Sequence, residues 1–132
     1  MCIDWGGKRC GIAVTDPLQI IATGLLTVDT PGIWTFLKNY FATESVEKVL
    51  IGEPLNLNDT DTHSSEPVRQ FVKKFRQDFP LIPVEMVDER YSSRMAKQSM
   101  IDSGMRKKDR RNKKLVDEIA ATIMLQEYME NR

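Results

Sequence analysis

The first sixteen residues, Met1 to Asp16, constrain the fold more than any other part of the chain. Apolar residues lead to Asp4, the pair Gly6-Gly7 permits a tight turn, and apolar residues then alternate with smaller ones up to Asp16. Alternation on both sides of a Gly-Gly break is typical of a β-hairpin. The chain is therefore expected to begin with two antiparallel strands.

This hairpin carries a carboxylate, Asp4, close to the end of its first strand and beside the cations Lys8 and Arg9. An unpaired buried carboxylate costs on the order of several kcal/mol, so an aspartate in a buried strand needs a partner. Two interpretations are open from this stretch alone. Asp4 binds a divalent metal or a phosphate-bearing ligand, or it accepts hydrogen bonds from backbone N–H groups of the turn.

The length of 132 residues is suited to a single domain, 1–132, with a hydrophobic core. The chain has no run of eighteen apolar residues and no basic segment followed by an apolar one, so neither a transmembrane helix nor a signal peptide is predicted. Two cysteines with one histidine cannot build a structural zinc site unaided. Reduced cysteines in the core of a cytoplasmic protein are the expectation.

A basic segment spans residues 106–114, with seven cations and one anion in the run RKKDRRNKK. The formal net charge of the whole chain is zero, so no overall electrostatic attraction to nucleic acid is expected. A local charge block of this kind is interpreted either as a solvated loop or as a contact for a phosphate backbone.

The remaining elements follow from apolar periodicity and from turn residues. Strands are predicted at Leu18–Val28, Val46–Ile51 and Ile82–Val87. Helices are predicted from Thr30-Pro31, from Ser64 or Ser65 to Phe79, from Ser92 or Ser93 to Gly104, and from Asn112 to Glu130. The order β-β-β-α-β-α-β-α-α predicts an α/β fold, a mixed five-stranded sheet flanked by helices. The last helix is expected to bury Leu115, Val116, Ile119, Ile123 and Met124.

Ligands of such sheets bind beyond the carboxyl ends of the strands, so a ligand site is expected there. Several acidic residues follow the predicted strands at this edge. These residues are Asp4, Glu53, Asp88 and Glu89, together with Asp117 on the last helix. Grouped carboxylates repel one another unless cations lie among them, and oxygen ligands suit Mg²⁺ or Mn²⁺. The alternative interpretation is that carboxylates after strands are helix caps.

Four segments resemble one known family. They are IDWGGKRCGIAVTD, IGEPL, VDERYSS and VDEIAATIMLQEYM, in this order over nearly the whole chain. They are similar to the YqgF (RuvX-like) family of ribonuclease H-like proteins, described as Holliday-junction resolvases and as nucleases of pre-16S ribosomal RNA. The resemblance implies a ribonuclease H-like fold and an endonuclease that uses one or two Mg²⁺ or Mn²⁺ ions.

The resemblance also implies roles for individual residues. The catalytic set is Asp4, Glu89 and Asp117, and Asp88 joins it as a metal ligand. Glu53 stands where many members carry Leu, so it is either an extra ligand or a neutral difference. The contacts to phosphate that the motifs imply are Lys8, Arg9 and Arg90. The charge of the basic segment adds, as a hypothesis of its own, Arg106, Lys107, Lys108, Arg110 and Arg111.

The function expected from the resemblance is processing of the 5′ end of pre-16S ribosomal RNA by a cytoplasmic monomer or weak homodimer. Resolution of branched DNA is the first alternative. A non-catalytic RNA-binding factor of ribosome assembly is another. The aspartate-glycine hairpin also resembles that of actin-like and sugar-kinase ATPases, but those proteins repeat the core in two domains.

Overall fold

The computed structural model describes residues 1–53, 65–88 and 112–131, with positions 95, 98, 99, 101, 102 and 104. Five strands form one sheet within this part of the chain: β1 (Cys2–Trp5), β2 (Arg9–Thr15), β3 (Ala22–Asp29), β4 (Val49–Glu53) and β5 (Val84–Asp88). The helices are α1 (Ile33–Thr43), α2 (Ser65–Asp78) and α3 (Lys113–Glu130). The predicted helix from Ser92 or Ser93 to Gly104 lies largely outside the described residues.

The strand order is β3-β2-β1-β4-β5. Strands β1, β2 and β3 pair antiparallel, whereas β1, β4 and β5 pair parallel. The expectation of a mixed five-stranded sheet flanked by helices is therefore confirmed.

Side-chain alternation along the strands divides the core into two layers. Ile3 packs with residues of α1 and α2, among them Ile33 and Phe75, whereas its neighbour Cys2 packs with Met124 of α3. Helices α1 and α2 thus cover one face of the sheet, and α3 covers the other. No helix in the described part of the chain combines the length and the apolar character that a membrane span requires.

The third strand begins later than the pattern predicts. The Asp16 carboxylate accepts hydrogen bonds from the backbone N–H groups of Leu18, Ile20 and Ile21, at 2.7–3.2 Å. These bonds fold the segment into a turn, and its apolar side chains stay exposed. The predicted strand Leu18–Val28 is therefore wrong at its start. Within the strand, the pairing with β2 shifts register between Leu26 and Gly24, opposite Ile12 and Ala13.

The Asp16 turn should be sensitive to acid. The backbone N–H of Ile21, with those of Ile20 and Leu18, lowers the pKa of the Asp16 carboxyl below its ordinary value of 3.8. A carboxyl group whose pKa is lowered by folding stabilises the native state above its ordinary pKa, and this contribution is lost as the pH falls through the lowered value.

We therefore expect urea midpoints measured between about pH 5 and pH 2 to fall more steeply for the native protein than for Asp16→Asn. Glu127→Gln removes the same charge from an exposed position of α3 and serves as the control. Equal pH slopes for Asp16→Asn and the native protein would contradict the assigned role of the carboxylate.

The start of α1 also differs from the prediction. Thr30 does not cap the helix, because its hydroxyl donates a hydrogen bond to the Gly6 carbonyl at 2.6 Å. Residues Thr30–Gly32 form a short 3₁₀ turn that includes Pro31, and α1 begins at Ile33. Thr30 therefore ties the end of β3 to the β1–β2 turn.

Two further strand boundaries shift toward the carboxyl side. Strand β4 was predicted from Val46 but begins at Val49, whose N–H donates to the Pro83 carbonyl at 2.9 Å. Strand β5 was predicted from Ile82, whose N–H instead donates to the Phe79 carbonyl in the turn after α2. At β5 the difference arises from a backbone hydrogen bond of the turn, which side-chain periodicity does not encode.

Helix α3 begins where it was predicted to begin, and Asn112 caps its amino terminus. The Asn112 side chain accepts hydrogen bonds from the N–H groups of Lys114 and Leu115, at 3.1 and 3.3 Å. We expect Asn112→Ala to lower the free energy of unfolding by about 1 kcal/mol. The exposed Asn39 of α1 provides the control, since Asn39→Ala should leave stability unchanged or slightly raised. Equal urea midpoints for the two variants would count against the cap.

The buried face of α3 lies slightly off the predicted one. Val116 and Met124 are buried as expected, whereas Leu115, Ile119 and Ile123 are only partly buried. The fully covered positions are instead Ala120, Ala121 and Leu125. The small alanines let the helix axis approach the sheet closely, which moves the contact toward them.

Candidate functional site

Asp4 lies near the carboxyl end of the central strand and faces α3. Cys2, two residues earlier, packs with α3, so strand alternation directs the Asp4 side chain to the same face. The parallel register of Ile3 with Ile51 brings the end of β1 beside the end of β4. Asp4 is partly buried and has interactions within the protein.

Asp117 reaches the same face because a glycine lets α3 lie directly on β2. Gly11 is the cross-strand partner of Asp4. A Cβ atom on Gly11 would lie 2.1 Å from the backbone carbonyl oxygen of Asp117. Gly24 of β3 similarly leaves room for the Glu118 side chain. The first turns of α3 therefore lie beside Asp4, and at Gly11 no side chain separates the helix from the sheet.

Arg9 forms an ion pair with Asp117. The Arg9 Nε donates to Asp117 Oδ2 at 3.0 Å, and both side chains are 25% exposed. This bond uses one of the five N–H donors of the guanidinium group. The phosphate contact expected of Arg9 stays a prediction, and the structure adds a second role, which is to orient Asp117.

Cys10 of β2 is a buried thiol whose electrostatic surroundings include both carboxylates. Burial raises the pKa of the Cys10 thiol, and the negative charges of Asp4 and Asp117 raise it further, against hydrogen bonds from Thr30 and Gly6. The Cys10 Sγ lies 3.5 Å from Thr30 Oγ1. A thiol with a raised pKa stays protonated at neutral pH, so Cys10 is unsuited to be a nucleophile.

Glu53 and Asp88 end the adjacent strands β4 and β5 and are cross-strand partners. Ile51 and Met86, two residues before them, pack in the layer of α1 and α2. Strand alternation therefore directs Glu53 and Asp88 to the face opposite α3. Asp4 and Asp117 thus lie on one face, and the other two carboxylates lie on the opposite face at the same end of the sheet.

Glu89, the remaining expected ligand, lies outside the described residues. Among the residues that the structure does describe, no three His, Cys, Asp or Glu side chains are grouped closely enough to hold a metal ion. Of the expected ligands, Asp4 and Asp117 are the two that the described residues place on the same face of the sheet.

Lys8 is exposed in the turn between β1 and β2. The Lys8 carbonyl accepts a hydrogen bond from the Thr30 N–H at 3.0 Å, and the Thr30 hydroxyl binds Gly6 of the same turn. The turn that presents Lys8 is therefore fixed at two points by Thr30. The other expected backbone contacts lie outside the described residues: Arg90, Arg106, Lys107, Lys108, Arg110 and Arg111.

The sequence did not indicate that Arg9 is the partner of Asp117, nor that α3 contacts β2 at Gly11. For Gly11, a local signal was present. In a hairpin whose first strand contains Asp4, Gly11 interrupts the apolar residues of the second strand at the position opposite that carboxylate. A glycine in the interior of a strand often marks the close approach of another backbone.

Comparison with known proteins gives one consistent result. The family model for RuvX, with the description "Holliday junction resolvase", matches residues 1–131. A protein of Flavobacterium psychrophilum named "Putative pre-16S rRNA nuclease" is 54% identical over 98% of this chain and 94% of its own length. Proteins of the same name from Christiangramia forsetii and Bacteroides thetaiotaomicron are 53% and 47% identical, over 98% and 100% of this chain and 96% of each relative.

Proposed function

Because this chain belongs to the RuvX family, we propose that it is a nuclease of precursor 16S ribosomal RNA that uses a divalent metal ion. The fold agrees with the ribonuclease H-like architecture of this family. The observation that carries the site assignment is the shared face of Asp4 and Asp117, seated together by Gly11. The 5′ end of the precursor is the proposed position of cleavage.

The residues present fit a hard divalent cation. Asp4 and Asp117 supply carboxylate oxygens, and they are brought to one face of the sheet by Gly11, which pairs with Asp4 and contacts the backbone of Asp117. Closely placed carboxylates are stabilised by a cation between them. We assign Asp4, Asp117 and Glu89 as ligands for Mg²⁺ or Mn²⁺. Asp88 and Glu53, expected from the sequence as further ligands, lie at the same end of the sheet but face the opposite side, so they are not assigned to this ion.

A bound divalent ion would supply Lewis-acid catalysis of phosphodiester hydrolysis. The protein's own groups prepare the site for it. Arg9 fixes the Asp117 carboxylate through a 3.0 Å bond, which limits the orientations that this ligand can adopt. Lys8, on a turn held by Thr30, is assigned to contact the phosphate backbone, as are Arg90 and the basic residues between 106 and 111.

A second candidate substrate is a four-way DNA junction. The description of the matching family model names this activity. Both substrates require hydrolysis of a phosphodiester bond, so the same carboxylates would serve either one.

Cleavage assays test these proposals directly. A precursor 16S ribosomal RNA fragment and a four-way DNA junction are incubated with the protein in the presence of Mg²⁺, Mn²⁺ or EDTA. We expect cleavage of the RNA with either metal and none with EDTA. Cleavage of the junction alone would favour the second candidate. RNA that is bound but stays intact with both metals would support a non-catalytic assembly factor instead.

The remaining assignments rest on this function. Residues 1–132 are proposed to form one nuclease domain that acts where ribosomal RNA precursors are found, in the cytoplasm. The proposed oligomeric state is a monomer or a weak homodimer, and sedimentation at several protein concentrations would distinguish these two states.

A further inference from the structure

A groove of about 360 Å³ lies between α2 and β5, on the face of the sheet opposite α3. Its floor includes the apolar side chains of Val72 and Met86, and its rim carries the cations Arg69, Lys73 and Arg76. These cations are spaced i, i+4 and i+7 on α2, which places them in one row along the helix. The opposite side of α2 is buried in the core through Val68, Phe71 and Phe75.

Two of these charges have no ion-pair partner among the described residues. Lys73 and Arg76 are exposed, and no described acidic side chain lies within ion-pair distance of either one. Lys74, the neighbour outside the row, differs from them. Its Nζ binds Asp78 at 2.6 Å and lies over the Trp34 ring. The row therefore offers positive charge to a ligand in a chain whose formal net charge is zero.

The groove lies across the sheet from Asp4 and Asp117 and runs back from the carboxyl edge, over which a bound strand would pass from one face to the other. Strand β4 ends at the carboxyl edge of the sheet, where Glu53 and Asp88 lie, and the parallel strand β5 begins at the opposite edge. Helix α2 connects the two strands and must run back between these edges. Arg69 is then the cation nearest to the carboxyl edge, and Arg76 lies about 10 Å further along the helix.

We propose that this groove binds the sugar–phosphate backbone of the RNA substrate on one flank of the cleavage site, a proposal that rests on the proposed nuclease function. A row of cations along one helix suits the regularly repeated charge of a phosphate backbone. The apolar floor offers a surface for the sugars. None of these residues belongs to the motifs that define the candidate metal site, so the groove is an additional contact surface.

The salt dependence of RNA binding tests this assignment. Binding of the precursor RNA fragment is measured in EDTA at several salt concentrations, so that no cleavage interferes. Each phosphate contact contributes about 0.7–0.9 to the slope of log K against log salt concentration. We expect Lys73→Gln and Arg76→Gln each to reduce the slope by about this amount, and the double variant by about 1.5. Lys38→Gln removes one lysine charge from α1 and is the matched control.

Cleavage by the unmodified protein is recorded in parallel, so that the two proposals can fail separately. A slope reduced by Lys73→Gln but not by Lys38→Gln supports the groove, even if the protein never cuts RNA. Equal slopes for all variants in a protein that does cut RNA would overturn the groove and leave the nuclease intact. Binding of polyglutamate, a model for an acidic protein, is measured with the same variants. If Lys73→Gln and Arg76→Gln lose polyglutamate binding while their RNA binding is unchanged, the RNA assignment is overturned in favour of an acidic protein partner.

Discussion

Asp117→Asn is expected to lower the rate of metal-dependent RNA cleavage by about 100- to 1000-fold. A ligand carboxylate that holds a catalytic metal contributes on the order of 3–4 kcal/mol to transition-state stabilisation, and each 1.36 kcal/mol is about a tenfold change in rate. The amide oxygen of Asn can still accept the hydrogen bond that Arg9 donates to Asp117. The fold should therefore persist while the charge is lost.

The adjacent Glu118 gives a matched control for this variant. Glu118→Gln removes the same charge one residue along α3, where the side chain packs over Gly24. We expect cleavage near the native rate. Asp4→Asn should resemble Asp117→Asn, and the double variant should lose little more than either single variant, because the two carboxylates act as a unit.

Binding of Mn²⁺, followed by calorimetry, adds a measurement that does not depend on turnover. It should weaken in Asp4→Asn and Asp117→Asn but not in Glu118→Gln. Native cleavage rates in a folded Asp117→Asn variant would refute the assignment of this carboxylate, whatever the substrate.

Gly11→Ala is the second change with a large expected effect. The new Cβ would lie 2.1 Å from the Asp117 carbonyl oxygen and 2.4 Å from its carbon. These are backbone atoms of a helix, so no side-chain rotation can relieve the overlap. We expect α3 to be displaced and the free energy of unfolding to fall by about 3 kcal/mol, as in other overpacked cores. Cleavage should fall as well, because the displacement moves Asp117 away from Asp4.

Gly7→Ala is the control for this substitution. It adds the same methyl group to the same hairpin, at a position where no atom lies within 4 Å of the new Cβ. Urea unfolding should give a midpoint close to the native one for Gly7→Ala and a clearly lower midpoint for Gly11→Ala. Equal midpoints would show that α3 is not seated on β2 as described.

Much of the fold could be predicted because its determinants are local. The Gly-Gly turn, the apolar alternation of β2 and the start of the last helix near Asn112 each depend on residues a few positions apart, and all three are present in the structure. The errors also have local causes that periodicity does not encode. Residues predicted to start a strand form a turn instead, because their backbone N–H groups bind the Asp16 carboxylate. The Thr30 hydroxyl donates to the Gly6 carbonyl and does not cap α1.

The sequence by itself determined the order of the elements, the hairpin with Asp4 and the candidate carboxylates. Only the tertiary structure decided which of those carboxylates share a face. Asp4 and Asp117 lie on the face covered by α3, whereas Glu53 and Asp88 lie on the opposite face. The face that a strand residue occupies depends on the register of the strand in the sheet, which the sequence alone does not give. Arg9 and Asp117 are 108 residues apart in the chain, and they meet because Gly11 leaves room for α3. Such contacts are properties of packing, which no short sequence pattern specifies.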